Sequence, residues 1–566
     1  MKTKEELCRE LYEKVDLPRI AEPGERREIM MRMRDGVRLR TQFAYPQGKG
    51  PFPAIVVRCC YPDQEEQLKI KAEYSNRFGF AFVVQWCRGV FGSEGIWEPN
   101  VNERNDGLDL MKALQKEKQI GEIGYWGDSY LALTGWAMAD AVPDKVKTMY
   151  LGVYGCDRHT SAYKDGLFRQ DILTGWAMNN AGRKVQADYL TSALYRPQVE
   201  VDMALWGGRL DWYRDWITHT DRSDPYWQRG FWGMLREIPG KVKIPVYIRE
   251  GWYDHHLGSA LVTWDLLNDE AKQHSVLEIG PWRHNYNVAL THQDTSSLED
   301  NRISSPMEWF YRILVKKEMP EGEVREYMIG QDKWIVSPVT EKETMQEKCL
   351  FLAADGKLCG EKEEEPVSYD YIYDPNDPVM THGAESLFQS RNEIGSLEQE
   401  APGKRLDVVT FLSEPLEEDL EISGDITVRL FVSTNCEDTA FTAKLMEEFE
   451  DGTTVNIRGT ITTLGYRNGA DARLTYTPGT TEAVDLVMWR ICWTLKKGSR
   501  LRLDVSSSDF PQYAVHSNYP GVWALQRSTR FAHQKIRCGA ETPSCVILPV
   551  LAEGEEKQEE NGEKTE

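Results

Sequence analysis

Short apolar runs separated by helical patterning occupy the first 345 residues, and polar–apolar alternation takes over afterwards. Residues 28–33 and 37–45 flank Asp35-Gly36, a two-residue hairpin signal. Val37, Leu39 and Phe43 alternate with polar neighbours, as a half-buried antiparallel strand requires. The runs 54–57, 81–84, 123–126, 146–151, 246–248 and 276–279 are short and apolar. Leu108, Met111 and Leu114 repeat every third residue and mark a helix between two of them. Short apolar strands alternating with helices predict a largely parallel sheet covered on both faces, so the fold class is α/β.

Residues 156–243 break that rhythm. They hold six Trp (176, 206, 212, 216, 227 and 232) and no clear buried strand. An insertion between two sheet strands, rich in flat apolar side chains, reads as a helical cap over a pocket; most of these rings would equally well pack the cap's own core. From about 346 onward the pattern is all-β. Ile426, Val428, Leu430 and Val432 alternate, Asp451-Gly452 marks a hairpin, and Leu501, Leu503 and Val505 alternate again. Such spacing predicts a β-sandwich or jelly roll. Residues 553–566, with seven Glu and two Lys, are too polar to fold and read as a disordered acidic tail. The expected division is therefore 20–155 and 244–345 for the two parts of the core, 156–243 for the cap and 346–552 for the jelly roll.

Composition then narrows the function classes. The 566 residues suggest three or four domains at about 150 residues each. With 68 Lys and Arg against 90 Asp and Glu, the net charge is −22. That argues against a nucleic-acid partner, because phosphate binding needs clustered cations. It also predicts that a strongly anionic substrate is repelled on approach. No apolar stretch approaches the roughly 18 residues of a membrane span, and the charged start MKTKEELCRELYEKV lacks a signal-peptide core. Eleven Cys without a CxxC pair fit reduced thiols in a cytoplasm better than a disulfide framework or a zinc knuckle. The expectation is a cytoplasmic protein with no membrane or nucleic-acid partner.

The chemistry concentrates where predicted strands end. Gly127-Asp128-Ser129-Tyr130-Leu131 lies between the strand 123–126 and a helical run, the strand–turn–helix setting of a nucleophile elbow. Strict G-x-S-x-G would place Gly at 131, and the pentapeptide alone reads better as an ordinary turn serine. A serine hydroxyl is inert near neutral pH unless a His takes its proton and a carboxylate fixes that His. The strand 246–248 runs into Gly251-Trp252-Tyr253-Asp254, and 276–279 into Gly280-Pro281-Trp282-Arg283-His284. Alone, Asp254 would be a turn carboxylate and His284 a structural histidine. Together with Ser129 they stand at one edge of a parallel sheet, in the chain order Ser–Asp–His of α/β-hydrolases.

With these motifs the sequence resembles the serine hydrolases grouped around bacterial cocaine esterase and the X-prolyl dipeptidyl peptidases, and looks closest to the cocaine-esterase branch. The resemblance runs from Met33-Arg34-Asp35-Gly36-Val37 to Ser544. It includes Val57-Arg58 before Tyr61, Arg88-Gly89-Val90-Phe91-Gly92-Ser93-Glu94-Gly95, Asp438 to Leu445 and Ser506 to Pro511. It implies an α/β-hydrolase core, an inserted helical cap and a C-terminal jelly roll. It further implies Ser129 as nucleophile, His284 as general base and acid, and Asp254 as orienting carboxylate. The oxyanion hole would comprise the Tyr130 N–H and the Tyr61 hydroxyl. A phenol suits that role, being protonated at pH 7 and able to face the developing charge.

The departures bear on substrate. Ala132 stands where the family often has Gly. Two residues after Asp254 the branch places an apolar aromatic against the acyl group, whereas here Asp254-His255-His256 offers a polar or partly charged wall, which puts an aromatic acyl group in doubt. Phe168, Trp176 and His256, with Leu387-Phe388 of a jelly-roll loop, are the substrate-binding candidates. The His pair with His284 and Asp254 also resembles a zinc ligand set, but adjacent His side chains rarely converge on one ion, so no metal or other cofactor is expected. Cys59 and Cys60 read as buried thiols rather than nucleophiles, though close enough to Tyr61 for thiol reagents to impair the site. The expected activity is a serine esterase on a small-molecule ester. An amidase or X-prolyl dipeptidyl-peptidase-type aminopeptidase is the alternative in the same chemistry, and a carbohydrate-binding protein with a degenerate core the non-catalytic one. The family's habit of dimerising implies a homodimer.

Overall fold

A computed structural model describes residues 2–341, 345–386 and 394–551. Twelve strands fall in the first part of the chain: β1 (Pro23–Arg32), β2 (Arg38–Pro46), β3 (Phe52–Cys59), β4 (Ala81–Trp86), β5 (Ile120–Asp128), β6 (Val146–Gly152), β7 (Tyr163–Lys164), β8 (Leu167–Phe168), β9 (Val246–Gly251), β10 (Val276–Gly280), β11 (Glu323–Met328) and β12 (Lys333–Pro338). Ten of them form one mixed sheet in the order β1-β2-β4-β3-β5-β6-β9-β10-β11-β12. The run from β4 to β11 is parallel. Antiparallel β2 and β12 close the ends of that run. Each apolar run read from the sequence lies inside one of these strands.

Two-residue alternation puts the sheet between two apolar layers. Ala54 and Val56 of β3 point into one layer with Tyr125, while Ile55 and Val57 point into the other with Trp126. Helices α1 (Lys4–Glu13) and α2 (Glu65–Arg77) cover the second face with Leu11, Tyr12, Leu68 and Ile70. Helices α3 (Glu103–Lys116) and α4 (Tyr130–Trp136) cover the first with Leu110, Met111, Leu114, Leu133 and Trp136. The helical run after Ser129 is short, ending at Trp136. After Trp136 the chain tightens into i→i−3 bonds, Met138 N to Gly135 O and Ala139 N to Trp136 O, both 3.1 Å.

Between β6 and β9 the chain is mostly helical, beginning with α5 (Arg158–Ala162) and α6 (Gln170–Asn180) and continuing through short helices to Glu237. It also carries a small hairpin, β7–β8, whose turn residues Asp165 and Gly166 have φ of 41° and 84°. That Asp-Gly turn was a readable hairpin signal, masked by strands of only two residues. Trp206, Trp216, Trp227 and Trp232 are buried there, so the segment builds its core largely from indoles.

From Met345 to Leu551 a second, 13-stranded sheet dominates, paired almost wholly antiparallel. Val428, Leu430 and Val432 are buried within the strand Thr427–Thr434, and Asp451-Gly452 turns between Ala440–Glu448 and Thr454–Thr463. This sheet braces the loop after β9: Arg458 Nη1 donates to Trp252 O (2.5 Å) and Tyr253 Oη to Ile457 O (3.0 Å). Residues 553–566, and Leu387 and Phe388, lie outside the described residues.

Candidate active site

β5 ends in Gly127-Asp128, and Ser129 follows with φ 58° and ψ −127°, ahead of α4. A non-glycine residue held at positive φ stores of order 1–3 kcal/mol and persists only where its surroundings enforce it. Here Ser129 N donates to Gly152 O at 2.9 Å on neighbouring β6, and Ser129 O accepts from Leu133 N at 3.1 Å. A Cβ at Gly127 would stand 2.1 Å from Leu131 O, so only glycine admits this turn. Leu131, where strict G-x-S-x-G has Gly, turns its side chain into the apolar layer that holds Val57 and Trp126.

Asp254 is fully buried in the turn after β9, its N–H donating to Gly251 O at 3.0 Å. Its Oδ1 accepts the His256 backbone N–H at 2.6 Å, and its Oδ2 lies 2.6 Å from His284 Nδ1. His284 Nε2 lies 2.9 Å from Ser129 Oγ. A carboxylate only accepts, so Nδ1 carries the imidazole proton and Nε2 faces the serine hydroxyl with its lone pair. The three side chains, brought from β5, β9 and β10, form an unbroken path from hydroxyl to imidazole to buried carboxylate. Such a path activates an oxygen nucleophile without any charged base in solution.

Two donors border the hydroxyl. The Tyr130 N–H sits in the first turn of α4, where a helix leaves N–H groups without intrahelical acceptors. Tyr61 follows β3, and its phenol oxygen accepts the Trp176 indole N–H at 3.1 Å. Burial pushes the Tyr61 pKa well above its ordinary value, while the Trp176 and Ser129 contacts pull the other way. The phenol therefore keeps its proton at neutral pH. The Tyr130 ring stacks on Trp176 with centroids 5.8 Å apart, and its hydroxyl donates to Glu103 Oε1 at 2.9 Å. Glu103 Oε2 in turn accepts from buried Arg58 at 2.7 Å.

A cavity of about 30 Å³ opens beside Ser129, walled by Tyr130, Trp176, Trp216, Tyr154, Arg158, His255 and His256 among others. Among the substrate candidates, Trp176 and His256 line it. Phe168 instead is fully buried, stacked on Trp523 at 5.4 Å. His255 and His256 are both buried, and desolvation drives both pKa values well below the usual histidine range, with neighbouring cations adding to it. The two histidines are therefore polar and uncharged. Asp254, His255 and His284 lie close enough to share an ion, yet both nitrogens of His284 already face Ser129 and Asp254. The thiols of Cys59 and Cys60 are buried; burial lifts Cys59 to about 12 and also pushes Cys60 well above the usual thiol range.

Sequence reasoning missed Tyr154 and Arg158. Both follow the C-terminal end of β6, the same sheet edge that flagged Ser129, Asp254 and His284, so position alone was an available signal.

Comparison with known proteins adds to this geometry. The X-Pro dipeptidyl-peptidase (S15 family) matches residues 35–286, and the X-Pro dipeptidyl-peptidase C-terminal non-catalytic domain matches residues 317–547. A cocaine esterase of Rhodococcus sp. (strain MB1 Bresler) is 27% identical over 576 residues, covering 92% of this chain and 98% of that protein. Among solved structures, an α-amino acid ester hydrolase superposes with a TM-score of 0.78 at 21% identity, covering 94% of this chain and 97% of its own. An aminopeptidase from a marine sediment Thaumarchaeota archaeon gives 0.77 at 21%, covering 93% and 96%. At that identity the two structures speak to the fold.

Proposed function

The chain belongs to the hydrolase family of the X-Pro dipeptidyl-peptidases and cocaine esterase, and from that premise we propose that it is a serine esterase working through an acyl-enzyme. The observation that carries the proposal is the continuous hydrogen-bonded path from Ser129 Oγ through His284 to Asp254. On this reading the mixed sheet is an α/β-hydrolase core, the helical segment its cap and the second sheet a jelly roll.

Ser129 Oγ attacks the ester carbonyl carbon while His284 Nε2 takes the hydroxyl proton. Asp254 holds the imidazole in the one tautomer that can accept it and stabilises the imidazolium that results. The carbonyl oxygen, now an oxyanion, receives the Tyr130 N–H and the Tyr61 O–H. Collapse expels the alcohol, which takes its proton from His284 Nε2 and leaves an acyl group on Ser129 Oγ. A water molecule then gives His284 its proton, adds to the acyl carbon, and releases the acid with the serine restored.

An aminopeptidase on this scaffold would need a carboxylate to receive the substrate ammonium. Among the described residues, the lining of the cavity beside Ser129 holds no carboxylate and presents Arg158 instead, which favours the ester reading. A fluorophosphonate should label Ser129 in the native protein and not after denaturation, with mass spectrometry locating the adduct. Labelling elsewhere, or activity on esters that chelators abolish, would refute the proposal.

A further inference from the structure

Three buried polar atoms around the cavity have no hydrogen-bond partner among the described residues: Arg158 Nε, Tyr154 Oη and His255 Nδ1. Arg158 is 8% exposed, with its guanidinium 4.8 Å from the Trp216 ring centroid and 5.5 Å from that of Trp232. It makes no ion pair among the described residues. The carboxylate next to it in sequence, Asp157, is taken by Arg222 at 2.8 Å and Arg236 at 3.2 Å. A buried cation without a counter-charge is costly, and beside it on the same wall stand two further polar atoms without a hydrogen-bond partner, the Tyr154 hydroxyl and a ring nitrogen of neutral His255.

We propose that this wall receives a carboxylate on the acyl part of the substrate, so that the esters cleaved are monoesters of short dicarboxylic acids. The inference rests on the ester-hydrolase reading. A carboxylate accepts at up to four sites and matches a guanidinium fork better than any neutral group does. The Tyr154 phenol can join it as a donor, because burial raises its pKa to about 12 and keeps it protonated. His255 and His256 are neutral, so Arg158 supplies the positive charge of this wall. The small volume limits the acyl chain to a few atoms beyond the carbonyl. This runs against the repulsion expected from the net charge of −22. That field is screened over about 8 Å at physiological ionic strength, whereas a buried arginine in contact is screened far less.

The test compares kcat/KM for monoethyl succinate and its neutral isostere ethyl 4-oxopentanoate. Wild type should favour the carboxylate by about tenfold or more, Arg158→Gln should lose that preference, and Arg158→Lys should retain part of it. The wild-type ratio needs no variant, so a variant that misfolds does not spare the proposal. Cleavage of the ketone ester with no preference for the carboxylate, or a preference that survives in Arg158→Gln, overturns the proposal and leaves the esterase reading standing. Failure to cleave either ester overturns both.

Discussion

The Trp176 indole N–H donates to the Tyr61 phenol oxygen across 3.1 Å, tying the helical segment to the loop after β3. The same indole stacks on the Tyr130 ring, whose backbone N–H begins α4. One side chain thus positions both donors proposed for the oxyanion. Tyr61→Phe should lower kcat by about 10²–10³-fold with KM changed far less, the loss expected when one such donor is removed. Trp176→Phe keeps much of the stacking but frees the phenol, and should cost about tenfold in kcat. Steady-state kinetics on one chromogenic ester would check both; equal effects on kcat and KM would point to substrate binding instead.

Gly127 is set by geometry rather than by flexibility. Gly127→Ala forces a methyl carbon to within 2.1 Å of the Leu131 carbonyl oxygen, which belongs to the backbone of α4 and cannot step aside. The expected cost is about 2 kcal/mol or more, read as a lowered Tm, together with loss of esterase activity as the serine turn deforms. A variant of unchanged Tm and activity would contradict the strained-turn account.

The two cysteines before Tyr61 should resist modification. With its pKa near 12, Cys59 holds only about 10⁻⁴ of its population as thiolate at pH 8, and burial blocks access besides. Thiol titration should therefore label neither Cys59 nor Cys60 in the folded protein and both after denaturation. Rapid native-state labelling with loss of activity would show that the loop opens.

Glu250 ends its side chain in a buried site near Asp254. Burial, and then the Asp254 charge, push its carboxyl well above the usual range. The unfolded chain ionises this group near pH 4.5, whereas the folded chain holds the proton to higher pH. Wild-type stability from this group is therefore intact below pH 4.5 and falls as pH rises toward the folded pKa. Glu250→Gln removes the titration, so its Tm relative to wild type should increase from pH 5 to pH 8. A difference that is flat with pH would show that the carboxyl is ionised in the fold.

Much of this arrangement was legible in the sequence because strands and their ends carry a pattern. The runs at 123–126, 246–248 and 276–279 fixed which residues lie at one sheet edge, and Ser129, Asp254 and His284 followed. Orientation beyond the edge was not legible. Phe168 and Trp176 are both aromatic and lie in one segment, yet Phe168 stacks on Trp523 in the interior while Trp176 reaches Tyr61. Nothing in their spacing separates the two, because tertiary packing of short helices decides which ring turns inward. The possible charge on the His255-His256 wall also depends on burial, which a loop sequence does not encode. Arg158 reads in the sequence like any other cation; its want of an ion pair among the described residues is a property of the fold.

Ser129 as the nucleophile of an ester hydrolase is decided by kcat/KM for p-nitrophenyl propionate on wild type and Ser129→Ala. The substitution should lower it by about 10⁴-fold or more, with an unchanged Tm showing that the fold is intact. Activity within about tenfold of wild type in the folded variant would contradict it.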